Sequence, residues 1–137
     1  MLRSPTRTLA FFALPLLVSC GPKVIYSDAD VPKIDKLEDV MWAQSQAMDP
    51  QFKKSNQTAF TDEEFVALAS AGGRLELTTA RLTGSFSKGP EFNQFATELA
   101  AHGAELASAA NAKNALGSTA ALKATKATCK ACHAKFK

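Results

Sequence analysis

The sequence is short of several residue types, and each shortage narrows the classes of protein to consider. Its 137 residues include only three cysteines and two histidines, so it has no second thiol pair to complete a four-ligand structural zinc site. The apolar stretch at residues 9–18 is too short to span a membrane. Segments in which β-branched residues alternate with polar ones are almost missing, which disfavours a β-sheet. With 16 basic against 13 acidic residues and no evident basic face, the chain is not predicted to bind nucleic acid.

What the sequence does have is a motif at its C-terminal end, Cys129-Lys130-Ala131-Cys132-His133. C-x-x-C-H is the pattern through which haem is attached, because two thiols form thioether bonds and the neighbouring His binds the iron. On a helix, residues three and four apart project from one face. Cys129 and Cys132 are therefore predicted to hold one haem c, with His133 as the proximal iron ligand. The alternatives are half of a zinc site and a thioredoxin-like redox pair, which expects a βαβ setting.

The N-terminal residues indicate export. Two arginines precede the apolar stretch, which ends in the letters LVSC at residues 17–20. This ending resembles a bacterial lipobox. The resemblance implies that residues 1–19 are a lipoprotein signal peptide and that Cys20 becomes the lipid-modified first residue. An ordinary signal peptide with an incidental Cys is the alternative. We therefore expect a protein anchored by its lipid on the periplasmic side of a bacterial membrane, and without its two signal-peptide arginines its net charge falls from +3 to +1.

The remaining chain is predicted to be all-α. Residues 20–33 contain glycine, prolines and a polar run and are predicted to form a tether. Residues 34–137 are predicted to fold as an antiparallel four-helix bundle, because apolar residues recur at spacings of three and four in segments joined by short turns. The first helix is predicted from Ile34 to Met48, since the following Asp49-Pro50 ends or kinks it.

Local signals also predict where the later helices begin. Thr61 followed three residues later by Glu64 forms a capping-box pattern for the second helix. Pro90 with an acidic neighbour opens the third helix. Ser118 or Thr119 is the predicted cap of the fourth.

The second helix carries a regular apolar seam with two glycines inside it. The seam consists of Phe65, Leu68, Gly72, Leu75, Thr79, Leu82 and Phe86. Each interior Gly costs about 1 kcal/mol of helix stability relative to Ala. Gly72 and Gly73 therefore indicate either the close approach of another helix or a flat cofactor, or simply a weak helix.

The C-terminal motif, with an aromatic and a basic residue after it on a last helix, resembles that of the class II c-type cytochromes, the cytochrome c′ family. Residues 38–48 resemble the segment that places a distal residue over the haem in that family. The resemblance covers about residues 35–137. It implies a four-helix bundle with a single covalent haem near its C-terminus and Met48 at the distal position. Where many relatives carry Arg four residues earlier, this chain has Gln44.

The resemblance leaves two functions open. Some relatives use a distal Met as sixth iron ligand and carry electrons, whereas others keep five-coordinate iron and bind nitric oxide or carbon monoxide. We expect a monohaem one-electron carrier in the bacterial cell envelope that meets redox partner proteins; the alternative is gas binding, with Met48 serving only as a packing residue. Met41 and His102 are other candidate ligands, and His102 is expected to lie half-exposed beside Glu98.

No distal His–Arg pair can be placed, so the chain is not predicted to be an enzyme. Relatives often form antiparallel homodimers, which makes a homodimer a candidate assembly. Five lysines near the motif are a docking patch for acidic redox partners, a counter-charge for the haem propionates, or simply a solvated face. They are Lys123, Lys126, Lys130, Lys135 and Lys137.

Overall fold

The structure is a computed structural model that describes residues 23–137. Within this range a short 3-10 helix, Val31–Lys33, precedes four α-helices, and there is no strand. The helices are α1 (Leu37–Phe52), α2 (Asp62–Gly84), α3 (Pro90–Asn111) and α4 (Ala115–Phe136). The predicted all-α four-helix bundle is therefore confirmed. The predicted signal peptide and Cys20 lie outside the described residues.

The four helices pack side by side in chain order. α2 packs along α3, α3 along α4 and α1 against α2, whereas α1 and α4 touch over a much shorter stretch. Lys135, near the end of α4, pairs with Glu91 in the first turn of α3, as expected for antiparallel neighbours. At the other end, Lys113 pairs with Asp62 at the start of α2, with 2.8 Å between Nζ and Oδ1. The sparse contact between α1 and α4 leaves room inside the bundle.

Side-chain caps define the starts of α2 and α4. The Thr61 hydroxyl accepts a hydrogen bond from the Glu64 N–H, and the Glu64 carboxylate accepts one from the Thr61 N–H, so the predicted capping box is present. α4 is capped by Asn114, whose Oδ1 accepts from the Gly117 N–H at 3.0 Å. The predicted cap at Ser118 or its neighbour is wrong by one turn. Asn caps as well as Ser, and Ser118 is fully buried in the bundle instead.

α1 does not end where the sequence predicted. It begins at Leu37, three residues later than expected, and continues through Pro50 to Phe52. Gln51 is buried and Phe52 packs against the core that contains Met48. This burial holds the last turn in helical form although Pro50 has no N–H to donate.

Two apolar clusters fill the bundle, one toward each end. One contains Met48, Phe65, Leu68, Ala71, Leu75, Leu106, Ala110, Ala121 and Leu122. The other contains Val31, Ile34, Val40, Ala43, Leu82, Phe92 and Ala96, with Cys132 and Phe136 packed against it. The predicted seam is buried from Phe65 to Leu82, whereas its last residue, Phe86, is only partly buried and lies beyond the end of α2.

The paired glycines of α2 have different surroundings. A Cβ at Gly72 would lie 2.8 Å from the backbone nitrogen of Ala107 and closer still to the carbonyl oxygen of Gly103, both on α3. A Cβ at Gly73 would meet no described atom within 4 Å. Gly72 therefore permits the close approach of another helix, one of the two alternatives that the sequence left open, and Gly73 does not.

The segment before α1 lies against the bundle. The Trp42 Nε1–H donates to the Val24 carbonyl at 2.7 Å, and an Arg74 guanidinium N–H donates to the Tyr26 carbonyl at 2.8 Å. Val31 is fully buried. The boundary between a tether at 20–33 and a bundle at 34–137 stays a prediction. These contacts show that the chain already touches the bundle helices α1 and α2 within the segment before Val31, beginning with Lys23 against Trp42.

Candidate functional site

The last turns of α4 bring the three motif side chains to one cavity. Cys129, Cys132 and His133 all line it. Their orientation follows from the preceding turns, where Leu122 and Thr125 are fully buried and hold this face of α4 toward the interior. Their spacing of three and four predicted that the three side chains project from one face of the helix. In the structure they line the same cavity.

An aromatic contact fixes the end of α4. The ring of Phe136 meets Phe92 edge-on, with 5.3 Å between ring centroids, and Phe95 at 6.2 Å. Such edge-to-face pairs contribute about 0.5–1.5 kcal/mol beyond area burial. Because both partners lie on α3, the end of α4 that carries the motif is held against α3 rather than left free to fray.

The cavity has a volume of about 110 Å³ and takes side chains from all four helices. A second, more open hollow of about 450 Å³ shares five of its lining residues: Met41, Ser45, Phe92, Cys132 and His133. Cofactor sites commonly measure about 300–1,000 Å³ and are mostly apolar. Apolar walls come from α1, α2 and α3, namely Met41, Met48, Phe52, Leu75, Leu82, Phe92, Ala96 and Leu99.

The α1 wall carries the predicted distal residues. Met48 is only 2% exposed, lines the cavity, and also packs in the core cluster with Leu68 and Leu75. Gln44, one turn earlier, lines the same cavity at 8% exposure. Its Nε2 has no hydrogen-bond partner within the described part of the chain. Met41 lines the cavity too and is partly buried.

The residues present fit a haem. A buried, unpaired N–H costs about 1–3 kcal/mol, so the amide of Gln44 calls for a bound group with an acceptor atom, and haem carries two carboxylates. The apolar walls suit a flat macrocycle, and two thiols with an adjacent imidazole suit covalent attachment and iron ligation.

The surroundings of the two thiols bear on the alternatives to haem. Within residues 23–137, no three His, Cys, Asp or Glu side chains come together in a way that could hold a metal ion. Burial raises the pKa of Cys129 to about 11, and the nearby Cys132 and Asp49 add to the effect. Burial also raises the pKa of Cys132. Dithiol redox chemistry uses thiolates, which this environment disfavours.

His102 lies elsewhere, on α3. It is partly exposed, as expected, but its Nδ1 lies 3.3 Å from Glu105 rather than beside Glu98. Glu98 instead accepts a hydrogen bond from Gln94. His102 is not among the residues that line the cavity.

Several lining residues were missed by the sequence reasoning. Ser45, Asp49 and Phe52 line the cavity together with Met41 and Met48. Helical spacing from the two methionines could have found them, had α1 not been expected to end at Asp49. The sequence could not distinguish the cavity-lining residues of α2 and α3 from core residues. Both kinds face the bundle interior, so both recur with the same helical spacing of three and four.

A helical bundle that presents C-x-x-C-H from its last helix to an apolar cavity has the architecture of a c-type cytochrome. The family model Cytochrome C' matches residues 33–137, most of the chain, and the chain belongs to that family. Proteins of this family bind covalent haem c, and Cys129 and Cys132 fit the attachment motif. Searches among curated proteins and solved structures gave no significant match.

Proposed function

We propose that this c-type cytochrome is a one-electron carrier in the bacterial cell envelope, with Met48 as sixth iron ligand. One observation supports it most: Met48 lines the same cavity as Cys129, Cys132 and His133. When bound, haem c supplies a one-electron iron couple. We propose no catalytic role for any residue.

The side chains have distinct roles in this proposal. Cys129 and Cys132 hold the cofactor through thioether bonds, and the His133 imidazole is the proximal ligand. The thioether of Met48 raises the reduction potential and closes the distal side to gases. The apolar walls keep water out, and the Gln44 amide donates a hydrogen bond from within them.

The test is an optical spectrum of the haem-loaded protein, oxidised and reduced, with and without carbon monoxide. Sharp low-spin bands that the gas does not change are expected for a sixth protein ligand. Met48→Leu keeps the packing volume but should convert the spectrum to high-spin and gas-sensitive. Met41→Leu, in the same cavity, is the matched control and should change little. A wild-type protein that is already high-spin would rule out Met48 as ligand.

A second candidate function is the binding of nitric oxide or carbon monoxide at five-coordinate iron. The observation that favours it is the burial of Met48 in the core cluster beside Leu68 and Leu75, which gives this side chain a packing role of its own. In that case the wild-type spectrum would be high-spin and would shift with either gas, and Met48→Leu would change neither property.

We propose acidic redox partners as the source and destination of the electron. The five lysines near the motif are exposed, although Lys135 is paired with Glu91. Lys88 and Lys137 line the open hollow next to the motif. Charge reversal at Lys88 should slow electron exchange with an acidic partner, with a steeper effect at low salt. Lys113→Glu, at the opposite end of the bundle, is the control.

We also propose that residues 1–19 are removed and that Cys20 carries lipid, which anchors the domain to the periplasmic side of a membrane. Among the helices of residues 23–137, none is long and apolar enough to cross a membrane. Mass spectrometry of the chain purified from a bacterial host should show acyl chains on Cys20, and Cys20→Ser should abolish them. Homodimer formation stays a prediction, to be tested by light scattering.

A further inference from the structure

The first described residues are held on the surface of α1. The Val24 carbonyl accepts hydrogen bonds from the Trp42 Nε1–H and the Gln46 Nε2–H, both at 2.7 Å. The Tyr26 N–H donates to Gln46 Oε1 at 3.2 Å. The Lys23 ammonium lies 4.3 Å from the centroid of the Trp42 ring. The chain therefore approaches the bundle at one defined place.

That place adjoins the functional site. Trp42 lines the open hollow that His133 and Cys132 also line. Trp42 thus contacts the N-terminal segment and also lines the hollow. The chain therefore reaches the bundle next to the hollow, whereas Ile25 itself lies on the α1–α2 side, beside Gln46 and Arg74.

The segment exposes apolar side chains at this place. Val24 is 59% exposed and Ile25 is 85% exposed, the largest value among the exposed large apolar residues of the described chain. They follow each other directly, and their backbone is fixed by the bonds to Trp42 and Gln46. Nothing in residues 23–137 covers Ile25.

The length of chain outside the structure indicates what covers it. Cys20 precedes Lys23 by three residues, which span at most about 10 Å when fully extended. A lipid on Cys20 therefore brings the bilayer surface within that distance of Lys23. The headgroup layer is itself about 5–7 Å thick on each side of the hydrocarbon core, so Val24 and Ile25 fall within its reach.

We propose that Val24 and Ile25, which are held beside the partly exposed Trp42, dock on the lipid bilayer, so that the lipid anchor and these side chains together fix how the haem-site hollow is oriented to the membrane. Trp is favoured at this level of a bilayer, and Lys23 suits phosphate headgroups. The inference rests on the proposed lipid attachment at Cys20. With this contact, the N-terminal attachment also fixes the orientation of the haem site relative to the membrane, which a flexible lipid anchor alone would not do.

Thiol accessibility tests the docking. In the haem-loaded, acylated protein, Cys20, Cys129 and Cys132 are all thioethers, so an introduced Cys is the one free thiol. Ile25→Cys is compared with Leu116→Cys, which is 82% exposed at the opposite end of the bundle. Both are reconstituted in phosphatidylcholine vesicles and treated with a membrane-impermeant maleimide. The reference for each variant is the same protein with the further change Cys20→Ser, exported with an ordinary signal peptide. It carries no lipid and is measured in buffer.

The expected result is a several-fold slower reaction of Ile25→Cys on vesicles than in buffer, with Leu116→Cys unchanged. An acylated protein in which both thiols react equally fast in both states overturns the docking and leaves the lipid anchor standing. A chain whose mass shows no acyl group overturns the anchor and the docking together. Protection of Ile25→Cys in buffer that grows with protein concentration assigns the face to a second copy and also overturns the docking.

Discussion

Two adjacent glycines of α2 are expected to respond in opposite directions to the same substitution. The obstacles to a side chain at Gly72 are backbone atoms of Gly103 and Ala107, which cannot rotate away. At Gly73 a Cβ meets no described atom within 4 Å. Room for alanine at Gly72 can arise only if α2 and α3 move apart along their long interface.

The magnitudes follow from two opposing effects. Replacing an interior helical Gly by Ala stabilises the helix by about 0.5–1 kcal/mol at either position. Overpacking costs about 1–3 kcal/mol, and a backbone obstacle places Gly72 toward the upper end. We therefore expect Gly73→Ala to raise the free energy of unfolding by about 0.5–1 kcal/mol and Gly72→Ala to lower it by about 2 kcal/mol. The two melting temperatures should differ by about 10 °C.

Urea and thermal unfolding of the haem-loaded variants, followed by circular dichroism at the helix band, would measure the difference. Neither glycine lines the cavity, so the haem spectra should match that of the parent protein. If Gly72→Ala proved as stable as Gly73→Ala, α2 and α3 could separate at little cost. The close approach of the two helices would then not require a glycine at position 72.

Further substitutions test the cap, the core and the thiol. Thr61→Ala should lower the free energy of unfolding by about 1 kcal/mol in urea titrations. The pKa of Glu64 lies below its usual 4.5, chiefly because the Thr61 N–H donates to it; Glu64→Gln should therefore destabilise the protein at neutral pH, and the difference should vanish as pH falls through that lowered pKa. Met48→Ala should cost about 2–5 kcal/mol, and Met48→Leu under about 1.5 kcal/mol; equal losses would contradict its packing role. In the haem-free chain, alkylation of Cys129 should still be accelerating between pH 9 and 11, because its pKa is about 11, whereas a plateau near pH 9 would contradict its burial.

The parts of the fold that the sequence predicted well depend on spacing within one helix. Phe65, Leu68 and Leu75 were expected on one seam of α2 and are buried there, because helical geometry alone decides which residues share a face. The motif residues of α4, spaced by three and four, likewise share one face and line one cavity. Val31 was assigned to a tether and is fully buried. Its position depends on how the N-terminal segment folds back onto α1 and α2, which no local pattern reports.

The end of α1 shows how tertiary burial can outweigh a local rule, and what this does to the site. A Pro in a helix interior costs about 3 kcal/mol, but Pro50 lies in the last turn, where few further helical bonds depend on it. Burying a large apolar side chain contributes about 1.5–3 kcal/mol, and Phe52 reaches the core only if the helix continues. Had α1 ended at Met48, Asp49 and Phe52 would not line the cavity as they do. The extra turn therefore places Met48 within regular helix rather than at a fraying end. Its backbone is held rigidly there, and both an iron ligand and a packed distal wall require such rigidity.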